Sequence, residues 1–279
     1  MMSYGTELKA HLSRYKRSVL KVEEDGTWAR NRRPYSHILP KALAELNLVE
    51  PIRSQCLSYM AREEIKLHGD FAHLNSSQAF AFNLFFPWLS DGIESRRTLA
   101  RCMGIRSQID SWEFEAVPDQ EEGTNLDLWL RLEDRSQVFI EVKLTENGFG
   151  APKANDRRRK KLEDIYRPRL ERKAAPGVLA GDVFFKHYQL LRNLSHVNPA
   201  RGDLLLLIFP KANRRSKAEA EGFLGNIVLE GCRPHVRIVF AEDLFRGLQE
   251  GGAVTPSVRS AMDMVGQKYR IGVEESVGV

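Results

Sequence analysis

At 279 residues with 42% hydrophobic composition, the chain can bury the core of one large domain or two small ones. Its formal charge of +5 and isoelectric point near 9.1 favour a polyanionic partner without identifying one. The three cysteines lack CxxC spacing, which argues against a disulfide framework and a structural zinc site and favours the cytoplasm. The sequence shows no signal-peptide core, and no run approaches the roughly 20 apolar residues of a membrane span, which argues against export and membrane insertion.

The first predicted elements are helical. Residues 1–70 are predicted as a helical or irregular N-terminal extension, with a helix over Arg53–Leu67 that Gly69 would end. A very apolar helix follows from Ser76 to Phe86, with Pro87 after it. Residues 71–250 are predicted as one α/β core, and residues 251–279 as a C-terminal tail.

Strands dominate the middle of the predicted core. Three segments rich in β-branched and aromatic residues are separated by polar turns, which predicts a meander. A helix with apolar residues at helical spacing and then a continuous apolar run, typical of a strand buried on both faces, come next. The core therefore reads as helix, three-strand meander, helix and one or two further strands. The segments after the first helix are Ser111–Val117, Leu126–Leu132, Gln137–Thr145, Val183–Leu194, Leu204–Phe209, Val236–Phe240 and a short helix at Glu242–Leu248.

Charged residues interrupt the apolar pattern of the second and third strands. The four leucines at even positions from 126 to 132 share one face, which leaves Asp127 on the other. The aliphatic residues at even positions from 138 to 144 likewise leave Glu141 and Lys143 on the opposite face. Matching apolar face to apolar face places all three charged residues on the same side of the sheet.

This arrangement also predicts the register of the hairpin. Asp127 must lie opposite Glu141 or Lys143 if the charged residues are to cluster. A two-residue turn at Asp134-Arg135 would place Asp127 opposite Val142 and separate them. We therefore expect a three- or five-residue loop, or a bulge, between the two strands.

Two carboxylates held a few ångströms apart repel each other unless a cation joins them. A hard divalent ion, Mg²⁺ or Mn²⁺, bridging Asp127 and Glu141 satisfies this requirement. Beside a phosphate, the metal would polarise the phosphate and lower the pKa of a bound water. The positive charge of Lys143 would stabilise the added negative charge or help that water to lose its proton. The alternative is that the three residues are surface charges forming weak cross-strand pairs.

The segment VFIEVKLTE and the order of elements around it resemble the PD-(D/E)xK nuclease superfamily, in particular a bacterial restriction-endonuclease-like group, over residues 75–210. The resemblance implies a restriction-endonuclease-like fold and a Mg²⁺- or Mn²⁺-dependent (endo)deoxyribonuclease. By position, Asp127 and Glu141 would be metal-binding acids, Lys143 the catalytic lysine, and the Val142 carbonyl a further metal ligand. Leu126 stands where the name-giving proline often lies. RNA as substrate, a homodimer, and the biological role stay open.

The resemblance also points to residues outside the hairpin. Members often carry an acid or amide on the first core helix, which makes Gln78 a candidate catalytic residue; the alternative is a capping box with Asn75. Glu94 and Glu146 are weaker candidates. On the later helix, Gln189 is a candidate nucleic-acid-binding residue facing the site, whereas Tyr188 is expected to pack in the core. Lys186 and Arg192 lie on the same predicted helix.

A basic segment follows the predicted catalytic strand. Between Lys153 and Lys173 there are ten Lys or Arg against four acids, including the uninterrupted run Arg157, Arg158, Arg159, Lys160 and Lys161. These side chains are candidates for phosphate contacts, although a charge run is often a solvated face. Two rival interpretations remain: a nucleic-acid-binding module that keeps the fold without catalysis, and a structural domain in which the three charged residues do not converge.

Overall fold

A computed structural model describes residues 2–251 and 255–271 and groups them into two compact units. The first unit contains the chain up to Arg106 and from Phe240 onward, and the second contains Ser107–Val239. The predicted boundaries at residues 70 and 250 do not coincide with this division. The second unit holds the hairpin with Asp127 and Glu141, and the first holds Gln78.

The first unit contains four α-helices before the chain enters the second unit. The second of them begins with Pro51 in its first turn and ends at Arg62, earlier than predicted. It stops there because Glu64 adopts a left-handed conformation (φ 51°) and the Ile65 N–H donates to the Met60 carbonyl, so Gly69 has no part in its termination. The four are α1 Tyr4–Ser18, α2 Glu50–Arg62, α3 Ser77–Ser90 and α4 Ile93–Cys102.

Helix α3 is buried on all sides, as its apolar sequence predicts. It continues through Pro87 to Ser90, because burying the residues around Pro87 outweighs the hydrogen bond that proline cannot donate. Its N-cap is Ser76, whose hydroxyl accepts the Ala79 N–H. The predicted capping box of Asn75 and Gln78 is therefore wrong, since Ser76 takes the capping position.

A short antiparallel hairpin in the N-terminal region was not predicted. Strands β1 (Gly26–Trp28) and β2 (Arg33–Tyr35) pair with Trp28 opposite Arg33. The sequence gives no strand signal here, because strands of three residues are too short to show alternation and the turn between them is rich in arginine. We refer to residues 26–35 as the N-terminal hairpin.

The second unit is built on a five-stranded mixed sheet in chain order. The first three strands form the predicted antiparallel meander, and the fourth lies parallel to the third after a helical crossover. The predicted third strand extends to Thr145 but the observed one ends at Val142, so Lys143 lies just past its end. The strands are β3 Ile109–Ala116, β4 Leu126–Leu132, β5 Gln137–Val142, β6 Leu204–Phe209 and β7 Val236–Phe240.

The register of β4 and β5 agrees with the prediction. Leu128 lies opposite Ile140 and Arg131 opposite Gln137, and extending this register places Asp127 opposite Glu141. The Leu132 N–H donates to the Ser136 carbonyl at 3.0 Å, which closes a three-residue loop. The expected loop of odd length is therefore confirmed.

The last residue of this loop, Arg135, adopts a left-handed conformation with φ 70°. Left-handed backbone costs an L-residue roughly 1–2 kcal/mol, whereas glycine adopts it freely at a smaller entropic cost. We expect Arg135→Gly to raise the free energy of unfolding by about 0.5–1 kcal/mol. Urea unfolding against wild type measures this, and a less stable variant would contradict it.

Five helices surround the sheet in the second unit. The single helix predicted over Val183–Leu194 is wrong, because His187 has non-helical angles (φ −118°, ψ 23°) and divides it in two. A turn of π-helix at Leu162–Tyr166 joins the first two helices of this group. The helices are α5 Asp156–Lys161, α6 Arg167–Leu170, α7 Gly181–Lys186, α8 Tyr188–His196 and α9 Arg214–Gly222.

The chain returns to the first unit with α10 (Ala241–Glu250) and α11 (Pro256–Tyr269). Helix α11 packs against α2 and α3, so much of the predicted C-terminal tail is an ordered part of this unit; residues 252–254 and 272–279 lie outside the described residues. The three cysteines are free thiols. Within the described ranges, none of the helices has the length and apolar character needed to cross a membrane.

Candidate active site

Asp127 is the second residue of β4 and its carboxylate is tied to the neighbouring strand. Its Oδ2 accepts the Val142 N–H at 2.6 Å, so the side chain pairs with a main-chain donor near the end of β5. Burial raises the pKa of Asp127 well above its ordinary value, and the negative charge of Glu141 raises it further. Such a carboxyl holds its negative charge poorly unless a cation lies beside it.

Glu141 lies inside a cage of donors at the centre of the site, with 1% of its surface exposed. Its Oε1 accepts from Lys143 Nζ at 2.8 Å and from Gln189 Nε2 at 2.6 Å. Its Oε2 accepts from Asn193 Nδ2 at 2.7 Å. A buried carboxylate is stable only when it is partnered in this way.

The charges around Glu141 determine its ionisation. Burial alone would raise its pKa, but the positive charges of Lys143 and of Arg192, whose Nη2 lies 3.8 Å from Oε2, hold the pKa below its ordinary value. Burial would lower the pKa of Lys143, but the carboxylates of Glu141 and Asp127 raise it. The site therefore holds an ionised carboxylate beside a charged ammonium.

One face of α8 supplies the remaining partners of Glu141. Gln189, Arg192 and Asn193 are spaced three and four residues apart, so they project from the same side of the helix. The sequence analysis predicts Gln189 as a site residue but misses Asn193. The position of Asn193, four residues after Gln189 on the same helix, is the signal that could have identified it. Tyr188 is buried and its hydroxyl lies 3.2 Å from that of Tyr166, in agreement with its expected place in the core.

A third acid, Glu115 on β3, was missed. Phe114 pairs with Leu128 and Ala116 with Leu126, so the register places Glu115 across from Asp127. Its charge contributes to the raised pKa of Asp127. Glu115 also has φ 51°, an uncommon conformation for a strand residue, which a sequence pattern does not reveal.

The side chains of the site supply only some of the oxygen ligands that a hard divalent cation needs. Within residues 2–251 and 255–271, no three Asp, Glu, His or Cys side chains form a group that could hold a metal ion by themselves. Mg²⁺ is usually bound through one or two carboxylates, with water and substrate phosphate completing its octahedron. Asp127 and Glu141 meet that smaller requirement.

A buried polar network holds the loop before β4. The Glu122 carboxylate accepts from the Tyr166 hydroxyl at 2.5 Å and from the Thr124 N–H at 3.1 Å. Burial would raise the pKa of Glu122, but hydrogen bonds from His196, Thr124 and Tyr166 lower it to about 2. Because this loop leads directly into β4, the network fixes the position of Asp127.

The segment after Lys143 is anchored from the other side. Glu146 Oε2 accepts the Leu144 N–H at 2.6 Å, so Glu146 closes a local turn. Asn213, the N-cap residue of α9, donates to the carbonyls of Leu144 and Glu146 at 3.2 and 3.1 Å. These contacts hold the chain just beyond the Glu141–Lys143 pair.

The basic segment forms helix α5 and its side chains point in different directions. Arg157, Arg158 and Lys161 line a cavity of about 310 Å³ whose other lining residues are Gly123, Thr124, Asn155 and Tyr188. No acid lines this cavity. Arg159 instead lies 3.4 Å from Asp182, and Lys160 is exposed. Three of the five predicted phosphate-binding side chains are therefore brought together.

Gln78 belongs to the first unit, where its amide is engaged locally. Its oxygen accepts the His68 N–H at 2.9 Å and its nitrogen donates to the Lys66 carbonyl at 3.3 Å. Both bonds hold the loop before α3, and they give Gln78 a structural role within its own unit. The weaker candidate Glu94 is exposed and pairs with Arg97 at 2.5 Å.

Comparison with known proteins identifies one family. The family model described as Restriction Endonuclease associating with ARP matches residues 9–263, which span both units. No curated protein and no solved structure gives a significant match.

Proposed function

The chain belongs to the family of restriction endonucleases associating with ARP, and from this premise we propose that it is a metal-dependent DNA nuclease of the PD-(D/E)xK type. The observation that carries the proposal is the grouping of Asp127, Glu141 and Lys143 at the ends of two paired strands. In a chance distribution of surface charges these side chains would be exposed. Here Glu141 and Lys143 are buried in contact with each other, 2.8 Å apart.

Asp127 and Glu141 would hold Mg²⁺ or Mn²⁺, together with the main-chain oxygen of Val142. A strand residue directs its N–H and C=O to the same side, and the Val142 N–H is bonded to Asp127. The Val142 carbonyl therefore faces the same carboxylate. When bound, such a cation polarises a phosphate and lowers the pKa of a bound water.

Lys143 supplies the fixed positive charge beside the reacting phosphate. Its ammonium is held by Glu141, and the neighbouring carboxylates keep its pKa raised, so it acts as a cation and hydrogen-bond donor. In phosphodiester hydrolysis it would stabilise the charge that develops on the phosphoryl oxygens. Gln189 and Asn193 orient Glu141, and through it Lys143.

The substrate class follows from charge as well as from family. Arg157, Arg158 and Lys161 line an acid-free cavity beside the loop that leads into β4. Guanidinium and ammonium groups bind phosphate oxygens through charge-assisted hydrogen bonds. We propose that these three side chains bind the phosphate backbone of the DNA. Gln78 is not part of the proposed site, because its amide is engaged by the loop before α3.

The decisive experiment is cleavage of supercoiled and linear DNA by the full chain in Mg²⁺, in Mn²⁺ and in EDTA. The expected result is cutting that requires the metal and stops on chelation. Metal-independent cutting would overturn the metal role. DNA binding without cutting under any of these conditions would favour the non-catalytic module instead.

A further inference from the structure

The N-terminal hairpin carries a cluster of arginines at its tip, the turn between its two strands. Arg30, Arg32 and Arg33 are exposed within four positions of one another. The sequence contains no acid from Gly26 to Ala44. In the part of the chain that the structure describes, the side chains of Arg32 and Arg33 have no carboxylate partner. The tip is therefore a concentrated positive charge within the first unit.

The backbone that carries these arginines is held in one conformation. The Asn31 amide donates to the Tyr35 hydroxyl at 2.6 Å and its oxygen accepts the Arg33 N–H at 3.1 Å. The Arg32 N–H donates to the Trp28 carbonyl at 2.8 Å, which closes the turn. Because the turn is ordered in advance, binding costs less conformational entropy than it would for a flexible arginine tail.

The aromatic residues of the hairpin are used internally. The Arg30 guanidinium lies 5.3 Å from the centroid of the Trp28 ring, and the edge-to-face contact with Tyr35 has a centroid distance of 5.9 Å. The indole N–H of Trp28 donates to Asp70 Oδ1 at 3.1 Å. Both rings are half-buried and engaged by neighbouring side chains, which makes them poor partners for stacking with an unpaired base.

Exposed guanidinium groups beside half-buried rings suit a charged backbone better than exposed bases. We propose that the tip of the N-terminal hairpin binds the phosphate backbone of duplex DNA without reading its sequence. Arginine suits this contact because its planar guanidinium forms paired hydrogen bonds with phosphate oxygens. The inference rests on the proposed nuclease function for the class of ligand, and it adds a second binding surface in a different unit from the candidate active site.

The test compares two variants that lose the same charge from the same unit. The hairpin variant is R30Q/R32Q/R33Q, and the control is R62Q/R97Q/R246Q, whose arginines lie 2.8, 2.5 and 3.5 Å from Glu63, Glu94 and Asp243.

Affinity for a short DNA duplex is measured by fluorescence anisotropy in EDTA over a series of salt concentrations. We expect the hairpin variant to bind at least about tenfold more weakly, with the slope of log affinity against log salt shallower by about 2–3. The control should stay within about twofold of wild type, because each of its arginines is already neutralised by a neighbour.

Several results would overturn the inference. Equal weakening in the two variants would show that only net charge matters, and wild-type affinity in the hairpin variant would show that the tip makes no contact. Weakening seen only with a single strand of the same DNA, measured in parallel, would also overturn it, as would wild-type protein that binds no duplex. Circular dichroism checks that both variants fold. If the protein cleaves DNA with a metal but the hairpin substitutions leave duplex affinity unchanged, only this inference is contradicted. If the protein binds duplex DNA through the hairpin but never cleaves it, only the nuclease activity is contradicted.

Discussion

Replacing Asp127 by asparagine is expected to slow metal-dependent DNA cleavage by at least about 10²–10³-fold while duplex binding and folding are retained. Asparagine has the same shape and keeps an oxygen that can accept the Val142 N–H. It lacks the negative charge that would help to hold a divalent cation. The substitution also removes the repulsion between Asp127 and Glu141, so the free energy of unfolding should not fall.

The rate of plasmid linearisation in Mg²⁺ and in Mn²⁺ measures this effect. Asp134→Asn is a matched control, because Asp134 lies in the loop at the other end of the same hairpin, where its carboxylate accepts the Ser136 N–H at 3.0 Å. Asp134 lies seven positions after Asp127, beyond the other end of β4, which corresponds to roughly 20 Å along the chain. Cleavage at the wild-type rate by Asp127→Asn, or an equal loss in Asp134→Asn, would contradict the role assigned to Asp127.

Replacing Glu141 by alanine is expected to abolish cleavage and to lower the free energy of unfolding by about 3–5 kcal/mol. The substitution removes the acceptor shared by Lys143, Gln189 and Asn193, and it leaves two buried cations without their common carboxylate. Breaking a buried ion pair from one side is costly because the remaining charge stays desolvated.

Lys143→Met separates catalysis from stability at the same pair. In that variant Glu141 still accepts from Gln189 and Asn193 and lies 3.8 Å from Arg192, so the loss of stability should be clearly smaller than in Glu141→Ala. Cleavage should be lost in both variants. Urea unfolding gives the two stabilities. A larger loss in Lys143→Met than in Glu141→Ala would show that the donor cage is not centred on Glu141.

The hairpin of the candidate site was predictable because strand alternation is strictly periodic. Once the leucines of β4 and the aliphatic residues of β5 are assigned to one face, a loop with an odd number of residues places Asp127 opposite Glu141 or Lys143. The observed three-residue loop selects Glu141. The boundaries of β4 and β6 follow equally well from their continuous patterns. These are properties of neighbouring positions, which the sequence displays directly.

The parts that escaped prediction depend on contacts between distant positions or on uncommon backbone angles. Asn193 approaches Glu141 only because α8 packs beside β5. The N-terminal hairpin has strands too short to show alternation, and the division of the predicted later helix arises from the angles at His187 alone. Glu115 lies across from Asp127 through strand pairing, and its own backbone has a positive φ. Local pattern carries little information about any of these.

The donor cage around Glu141 has a consequence for how the protein is made. Lys143, Gln189 and Asn193 satisfy this carboxylate from within the second unit, so the buried charge is compensated as soon as β5 and α8 have packed together. In zinc fingers, by contrast, folding waits for the metal because nothing else neutralises the ligands. Folding of the second unit therefore needs no divalent cation to neutralise Glu141, and under the proposed function the cation would be required for activity alone.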